Sequence, residues 1–269
     1  ESQQETTKDT KVTLSGSPSS TNSGTFIGWI YNGGLYKAGA EFTISSNVTF
    51  TAAYINFAML NGASIRTQEP AGIRFITEIN KDEYNALKEL GAIQMGTLII
   101  PTDTLGNKTL DLNTVDVMNL TSNGFLTATG RGILGTTAKD DCEYFSGAIV
   151  NLDKGNYTRY FSARSYITIT YADDSATTLY SDYSAENNSR SLYDLSNTFV
   201  ATNTGVQTFI DSVADITIGE GFSMTKANDK ATYTLSNVSF EANEETTAPE
   251  EAFDYKGTIT VNANIASIR

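Results

Sequence analysis

The run "TRYFSARSYITITY" at residues 158–171 is the feature that most constrains how this 269-residue chain folds. It alternates along its whole length, is rich in aromatic and β-branched side chains, and contains neither glycine nor proline. Such period-two patterning makes a strand, because successive side chains point to opposite faces of a sheet. Phe161, Ala163, Ser165, Ile167, Ile169 and Tyr171 fall on one face, the more apolar one, which is read as the core side. Tyr160, Ser162, Arg164, Tyr166 and Thr168 fall on the other. A strand of this kind is not stable by itself, so the chain must supply partners for it.

Those partners are legible. "AGIRFITEI" (71–79) places Ile73, Phe75, Thr77 and Ile79 on one side and Arg74 and Glu78 on the other. "MGTLIIP" (95–101) reads as a buried strand ended by proline. "FSGAIVNL" (145–152), "DKATYTLSNVSFEA" (229–242) and "YKGTITVNANI" (255–265) read as further strands. In "FIGWIYNGGLYKAGAEFTISSNVTFTAAY" (26–54), Asn32-Gly33-Gly34 is a hairpin signal, since the turn needs positive φ. Val48, Phe50, Ala52 and Tyr54 share a face near its end. Helical signals are fewer. "NKDEYNALKELG" (80–91) has Asn80 as N-cap, Asp82 and Glu83 in the first turn, a Tyr84/Leu87/Leu90 stripe and Gly91 as terminator. A second helix is expected over 189–202, with Leu192, Leu195 and Phe199 on one face, and "GVQTFIDSV" continues it after a break at Gly205. The expected fold is mainly β: tandem β-sandwich-like (Ig-like) domains with two short helices. Residues 1–24 read as a flexible linker or a weak first strand. Residues 25–55 form a small β repeat module, 56–215 a β-sandwich-like domain with short helices, and 216–269 additional strands around an acidic loop, "EANEETTAPEEAFD".

Composition removes several classes of function. Histidine is absent and Cys142 is the single cysteine, so no intramolecular disulfide, imidazole triad or thiolate–imidazole metal site is available. Cys142 reads as a small buried hydrophobe rather than a reactive thiol. With 18 Lys+Arg against 31 Asp+Glu, the net charge of -13 leaves no basic footprint for nucleic acid. No apolar run is long enough to span a bilayer, and the polar start reads as a mature, processed end. No calcium loop of the D-x-[DN]-x-[DN]-G type occurs, and "GRGILG" (130–135) lacks the lysine of a phosphate loop. Asp140-Asp141 and Asp173-Asp174 read as turn residues, and nothing marks a glycosidase pair. No catalytic residue and no cofactor are expected.

Aromatic and arginine clusters carry what functional signal there is. Trp29 is either a stacking platform for a sugar ring or the plug of a small module. Tyr31 shares its strand parity and lies beside the turn. Tyr160, Arg164 and Tyr166 combine rings for stacking with a guanidinium for hydrogen bonds to hydroxyls; the other reading of that face is a solvated sheet surface with Arg packed over Tyr. Arg66 and Arg74 either reach a ligand or pair with nearby carboxylates such as Glu69 and Glu78.

The 26–54 stretch resembles the Listeria–Bacteroides repeat of bacterial surface proteins, through Gly28-Trp29, the Tyr36-x-x-Gly39 step and the closing "VTFTAAY" ending in Tyr54. "GASIRTQEPAGIRF" (62–75), "GTLIIP" (96–101), "NYTRYFSARSYITITY" (156–171) and "SRSLYDLS" (189–196) resemble a β-module that follows such repeats in clostridial surface proteins. The pairing is similar to starch-adherence proteins of Gram-positive gut bacteria. The resemblance implies an extracellular, cell-surface, non-catalytic monomer that binds starch or maltooligosaccharides at an inter-domain cleft. Tyr31, Trp29, Tyr160, Arg164, Tyr166 and Arg74 are its candidate ligand residues. The alternative is a structural or adhesive module that binds other cell-surface proteins or nothing.

Overall fold

A computed structural model describes residues 5–16, 18, 24–67, 70–122, 124–126, 134, 137–198 and 204–214, with the backbone of two later strands. The elements begin with β1 (Thr10–Thr13), β2 (Thr25–Tyr31), β3 (Gly34–Tyr36), β4 (Glu41–Ile44), β5 (Thr51–Ile55) and β6 (Phe57–Met59). Next come β7 (Ser64–Arg66), β8 (Gly72–Asn80), α1 (Lys81–Glu89), β9 (Ile93–Pro101), α2 (Thr102–Leu105), β10 (Met118–Ser122) and β11 (Cys142–Val150). A 3-10 turn at Lys154–Asn156 precedes β12 (Phe161–Thr170) and β13 (Ala176–Tyr180). The chain closes with α3 (Ala185–Asn188), β14 (Ser189–Arg190), α4 (Leu192–Thr198), α5 (Thr204–Ala214), β15 (Tyr233–Ala242) and β16 (Phe253–Val261). The protein is mainly β, as its alternating pattern dictates. The helices outnumber the two expected from sequence, because single turns form at 102–105 and 185–188 and the C-terminal pattern divides into α4 and α5. Helix α4 starts at Leu192 because the Ser191 hydroxyl accepts from the Asp194 amide (3.1 Å), an N-terminal cap that leaves Ser189 and Arg190 free to pair as β14. Phe199 and residues 243–252 of the acidic loop lie outside the described residues.

The chain divides into two compact units, each assembled from three segments. The first comprises Glu1–Ser64, Arg74–Ile149 and Ser162–Ser189; the second comprises Ile65–Ile73, Val150–Phe161 and Arg190–Arg269. In the first, one sheet has the order β10-β9-β12-β13, another β11-β8-β6, and a third β3-β2-β5, with a β1-β4 ribbon beside it. β15 and β16 pair antiparallel with each other.

One hydrophobic cluster joins these sheets. Ile79 and Phe145 come from the β11-β8-β6 sheet, Met95, Ile167 and Ile169 from the β9/β12 sheet, and Ile27, Leu35, Ala53 and Ile55 from the β3-β2-β5 sheet; Tyr84 and Leu87 of α1 close it. Helix α1 forms as its sequence dictates: Asn80 Oδ1 accepts from the Glu83 amide at 3.1 Å, and Gly91 ends it at φ +65°. The Asn32-Gly33 turn between β2 and β3 has positive φ at both residues, 46° and 75°. Gly28 sits at φ +148° at the bulge in β2, where a Cβ would stand 2.4 Å from the Tyr36 carbonyl oxygen. Three contacts tie the 25–55 stretch to the end of β12. The Tyr171 hydroxyl donates to Ile27 O (3.0 Å), the Ala172 amide to Leu35 O (2.8 Å), and Lys37 Nζ pairs with Asp173 Oδ2 (3.0 Å).

Strand β12 is buried on both faces from Phe161 to Ile169, which corrects the expectation that Arg164 and Tyr166 mark an open face; Tyr160 lies just ahead of the strand. Ile167 and Ile169 enter the cluster above, and Ala163 is fully buried. On the other face, Tyr166 is 3% exposed and Ser162 fully covered. Tyr166 packs with Leu98, Ile100, Leu105 and Leu110, because the 102–117 segment folds over it. Its ring occupies the space a side chain at Gly96 would need: a Cβ there would stand 2.4 Å from the ring.

Two tests follow from this packing. Gly96→Ala should destabilise the fold by about 1–3 kcal/mol through overpacking. Combined with Tyr166→Ala it should cost less than the sum of the two single changes, measured by chemical denaturation; strict additivity would refute the contact. The Ser175 hydroxyl, the Lys37 ammonium and the Ser175 amide hold the Asp173 carboxyl down at about 2. The unfolded value is ~3.9, so ionised Asp173 favours the folded state above roughly pH 4, and that contribution is lost as pH falls towards about 2. An NMR titration should place its midpoint near 2, with Ser175→Ala moving it upward.

Candidate functional site

Most of the sequence-nominated residues are structural. Trp29 is half-buried; its indole N–H donates to Ser15 O (2.7 Å) and its ring meets Phe26 edge-on at 5.5 Å. Tyr31 is wedged between Phe42 (5.1 Å) and Phe50 (5.0 Å), and Tyr36 also meets Phe42. These rings lie between the β1-β4 ribbon and the outer side of β2 and β3, so neither Trp29 nor Tyr31 stands as a free platform. Arg74 is half-buried on β8, and Glu78, its expected carboxylate partner, is held by Lys139 Nζ at 2.8 Å. Arg66 donates to the Pro70 carbonyl oxygen; Glu69 lies outside the described residues. Tyr160 is half-buried in the second unit, just ahead of β12. Burial and the neighbouring Asp141 push the Cys142 thiol up, which disfavours the reactive thiolate.

Arg164 and Tyr166 are brought together, yet beneath a surface rather than on one. Arg164 Nε donates to Ser181 O (2.7 Å), Nη1 donates to Leu110 O (3.1 Å), and the guanidinium lies 4.9 Å from the centre of the Tyr180 ring. Tyr166 pairs with Tyr180 across β12 and β13, and its hydroxyl donates to Asn119 Oδ1 (2.8 Å). The Tyr180 hydroxyl accepts from the Leu112 amide (3.2 Å). The Ser181 amide donates to Ser165 O, and its hydroxyl accepts from the Ser165 amide (3.2 Å). Arg164 therefore fixes Tyr180 and Ser181 from behind.

Tyr180 and Ser181 also border a groove of about 240 Å³. It is lined by Thr25, Ile55, Asn56, Phe57, Leu179, Tyr180, Ser181 and Asp182, where the 25–55 stretch meets the residues that follow it. Ile55 is buried in the core, and Phe57 and Leu179 pack against that core from its edge, so the floor is rigid. Asn56 is held at both backbone groups: its amide donates to Glu83 Oε2 (2.6 Å), and its carbonyl accepts from the Asn80 amide (2.9 Å). Thr25, Asn56 and Asp182 are exposed, while Phe57 and Tyr180 are half-buried. A hydroxyl, a carboxamide and a carboxylate thus stand with Phe57 at the groove, while the Tyr180 ring packs on the Tyr166 side of β13; the set offers both donors and acceptors to a polyhydroxylated ligand.

None of these groove residues was nominated by sequence. Tyr180 and Asp182 were within reach, since the Asp173-Asp174 turn folds β13 back along β12 and places Tyr180 opposite Tyr166. Thr25 and Asn56 carry no such signal. Among the described residues no three Cys, Asp or Glu side chains cluster as metal ligands, and no helix is long and apolar enough to cross a membrane. No family model matches the chain, and a search of curated proteins finds no match. Fold and site thus define a mainly β protein with an open, polar–aromatic groove.

The clamp has a direct test. Arg164→Met strips the donors from Ser181 O and Leu110 O and should cost about 1–3 kcal/mol of stability. Hydrogen exchange at Ser181 should accelerate while the amides of β9 hold; equal protection in both proteins would show that Arg164 positions nothing.

Proposed function

We propose that this chain is a non-catalytic carbohydrate-binding part of a bacterial cell-surface protein, and that its groove takes a glucose unit of starch or a maltooligosaccharide. The observation that carries the reading is the exposed Thr25, Asn56 and Asp182 set beside the half-buried Phe57. The Phe57 ring meets the apolar face of a pyranose, and the carboxylate and carboxamide hydrogen-bond its hydroxyls. The groove is smaller than the roughly 300–1,000 Å³ of enclosed ligand pockets. It suits one unit of a longer glycan lying across the surface, with a dissociation constant of about a micromolar to a millimolar. The likeness of 26–54 to a surface-protein repeat supports the extracellular setting.

Calorimetric titration of the whole chain with malto-, cello- and xylo-oligosaccharides tests this. Heat is expected with the maltooligosaccharides, and Asp182→Ala and Asn56→Ala should each weaken binding about tenfold. Absence of heat with all three series would overturn the reading. It would then favour the second one, a structural or adhesive surface module. That alternative draws on the packing of Trp29, Tyr31 and Tyr166, which are each engaged by neighbouring side chains or backbone.

A further inference from the structure

The second unit has a concavity of its own, of about 220 Å³, lined by Ala71, Asn151, Leu152, Tyr157, Leu192 and Phe209. Its walls are tied together. The Asn151 amide donates to Ala71 O (3.2 Å), and the Tyr157 carbonyl accepts from the Tyr193 amide (2.9 Å), next to Leu192. Phe209 is carried on α5, which anchors itself through Ile210 and Val213, both buried. The site is preformed to that extent.

Its chemistry is specific about what it does not suit. None of the six lining residues is charged, so a phosphate, a carboxylate or a metal ion finds no counter-charge there. Two half-buried aromatic rings, Tyr157 and Phe209, offer apolar surface, and Asn151, which is exposed, offers one carboxamide. Asn151 holds φ at +54°, a left-handed conformation that asparagine tolerates better than most residues. An uncharged ligand with an apolar face and a hydroxyl-bearing edge fits such a lining. The groove of the first unit likewise sets a half-buried aromatic residue, Phe57, beside an exposed asparagine, Asn56. We infer that the second unit holds a second site for the same neutral glycan, centred on Asn151, Tyr157 and Phe209. The inference rests on the glycan reading of the first groove, and it makes the chain bivalent. Two weak sites on one chain then retain an insoluble polymer far better than either holds a short oligosaccharide.

The test is an NMR titration of the isotope-labelled whole chain with maltotriose. Two separate groups of shifting amides are expected, one around Asn56 and 180–182 and one around 151–157 and Phe209. Asn151→Gly keeps the positive φ and removes the carboxamide; Phe209→Leu keeps apolar bulk and removes the ring. Each should weaken the second group's binding about tenfold and leave the first group unchanged. Each should also lower retention on granular starch. Shifts confined to the first groove, indifferent to both variants, would overturn this inference and leave the proposed function standing. Shifts confined to 151–157 and Phe209, surviving Asp182→Ala, would uphold the second site and overturn the first. No shifts anywhere would overturn both.

Discussion

The burial of β12 on both faces is the constraint on which the first unit depends. A strand in that position needs two covers, and they differ in kind. One is the shared cluster of Ile167, Ile169, Phe145, Met95 and Ile27, built from three sheets. The other is the 102–117 segment, which has little regular structure. It is held by Leu105 and Leu110 against Tyr166, and by hydrogen bonds from Arg164 to Leu110 O and from the Leu112 amide to Tyr180. A network of hydroxyls adds to this: Thr102 and Ser189 each lie within hydrogen-bond distance of Ser162, and the Tyr183 hydroxyl donates to it. Burying so many polar groups is tolerable only because each of these hydroxyls and the arginine has a partner.

This arrangement turns a hidden arginine into a feature of the surface. Arg164 satisfies the carbonyl of Ser181 and stacks on Tyr180, and both residues border the groove. The groove floor is therefore set by the same contacts that hold the cover in place. The opposite wall is set by the core, since Asn56 joins β5 to β6 and both of its backbone groups are taken up near the start of α1. Only side chains remain free to meet a ligand at Thr25, Asn56 and Asp182. A rigid frame with a few loose polar ends costs little ordering entropy on binding, which matters for a shallow site.

What was legible in the sequence is what short-range chemistry decides. Helix α1 was readable from Asn80 to Gly91 because its cap, first-turn acids and terminator all act locally. The Asn32-Gly33 turn and the strand at 161–170 were readable for the same reason. The face of that strand is deceptive because Tyr, Ser, Arg and Thr look solvent-directed, whereas the cover that buries them lies some fifty residues earlier and is itself mostly polar, with Leu105, Leu110 and Val117 turned to the strand. A separation of that size leaves no periodic trace. The groove was illegible for a related reason: Thr25, Asn56 and Asp182 are single polar residues from three distant places, each unremarkable until the fold brings them together. Trp29 shows the opposite bias, since a lone tryptophan draws attention as a binding platform although a small module needs it as filling.

On the proposed reading, the same economy explains the overall character of the chain. A neutral polymer offers no charge to recognise, so a net charge of -13 contributes solubility rather than affinity. Small open grooves bury too little surface to bind tightly one at a time. A protein of this composition gains hold on a polysaccharide by repeating modest sites, each kept in shape by the core beneath it. Arg164 and Gly96 matter to that hold without lining the groove, because they fix Tyr166, Tyr180 and Ser181 beneath it.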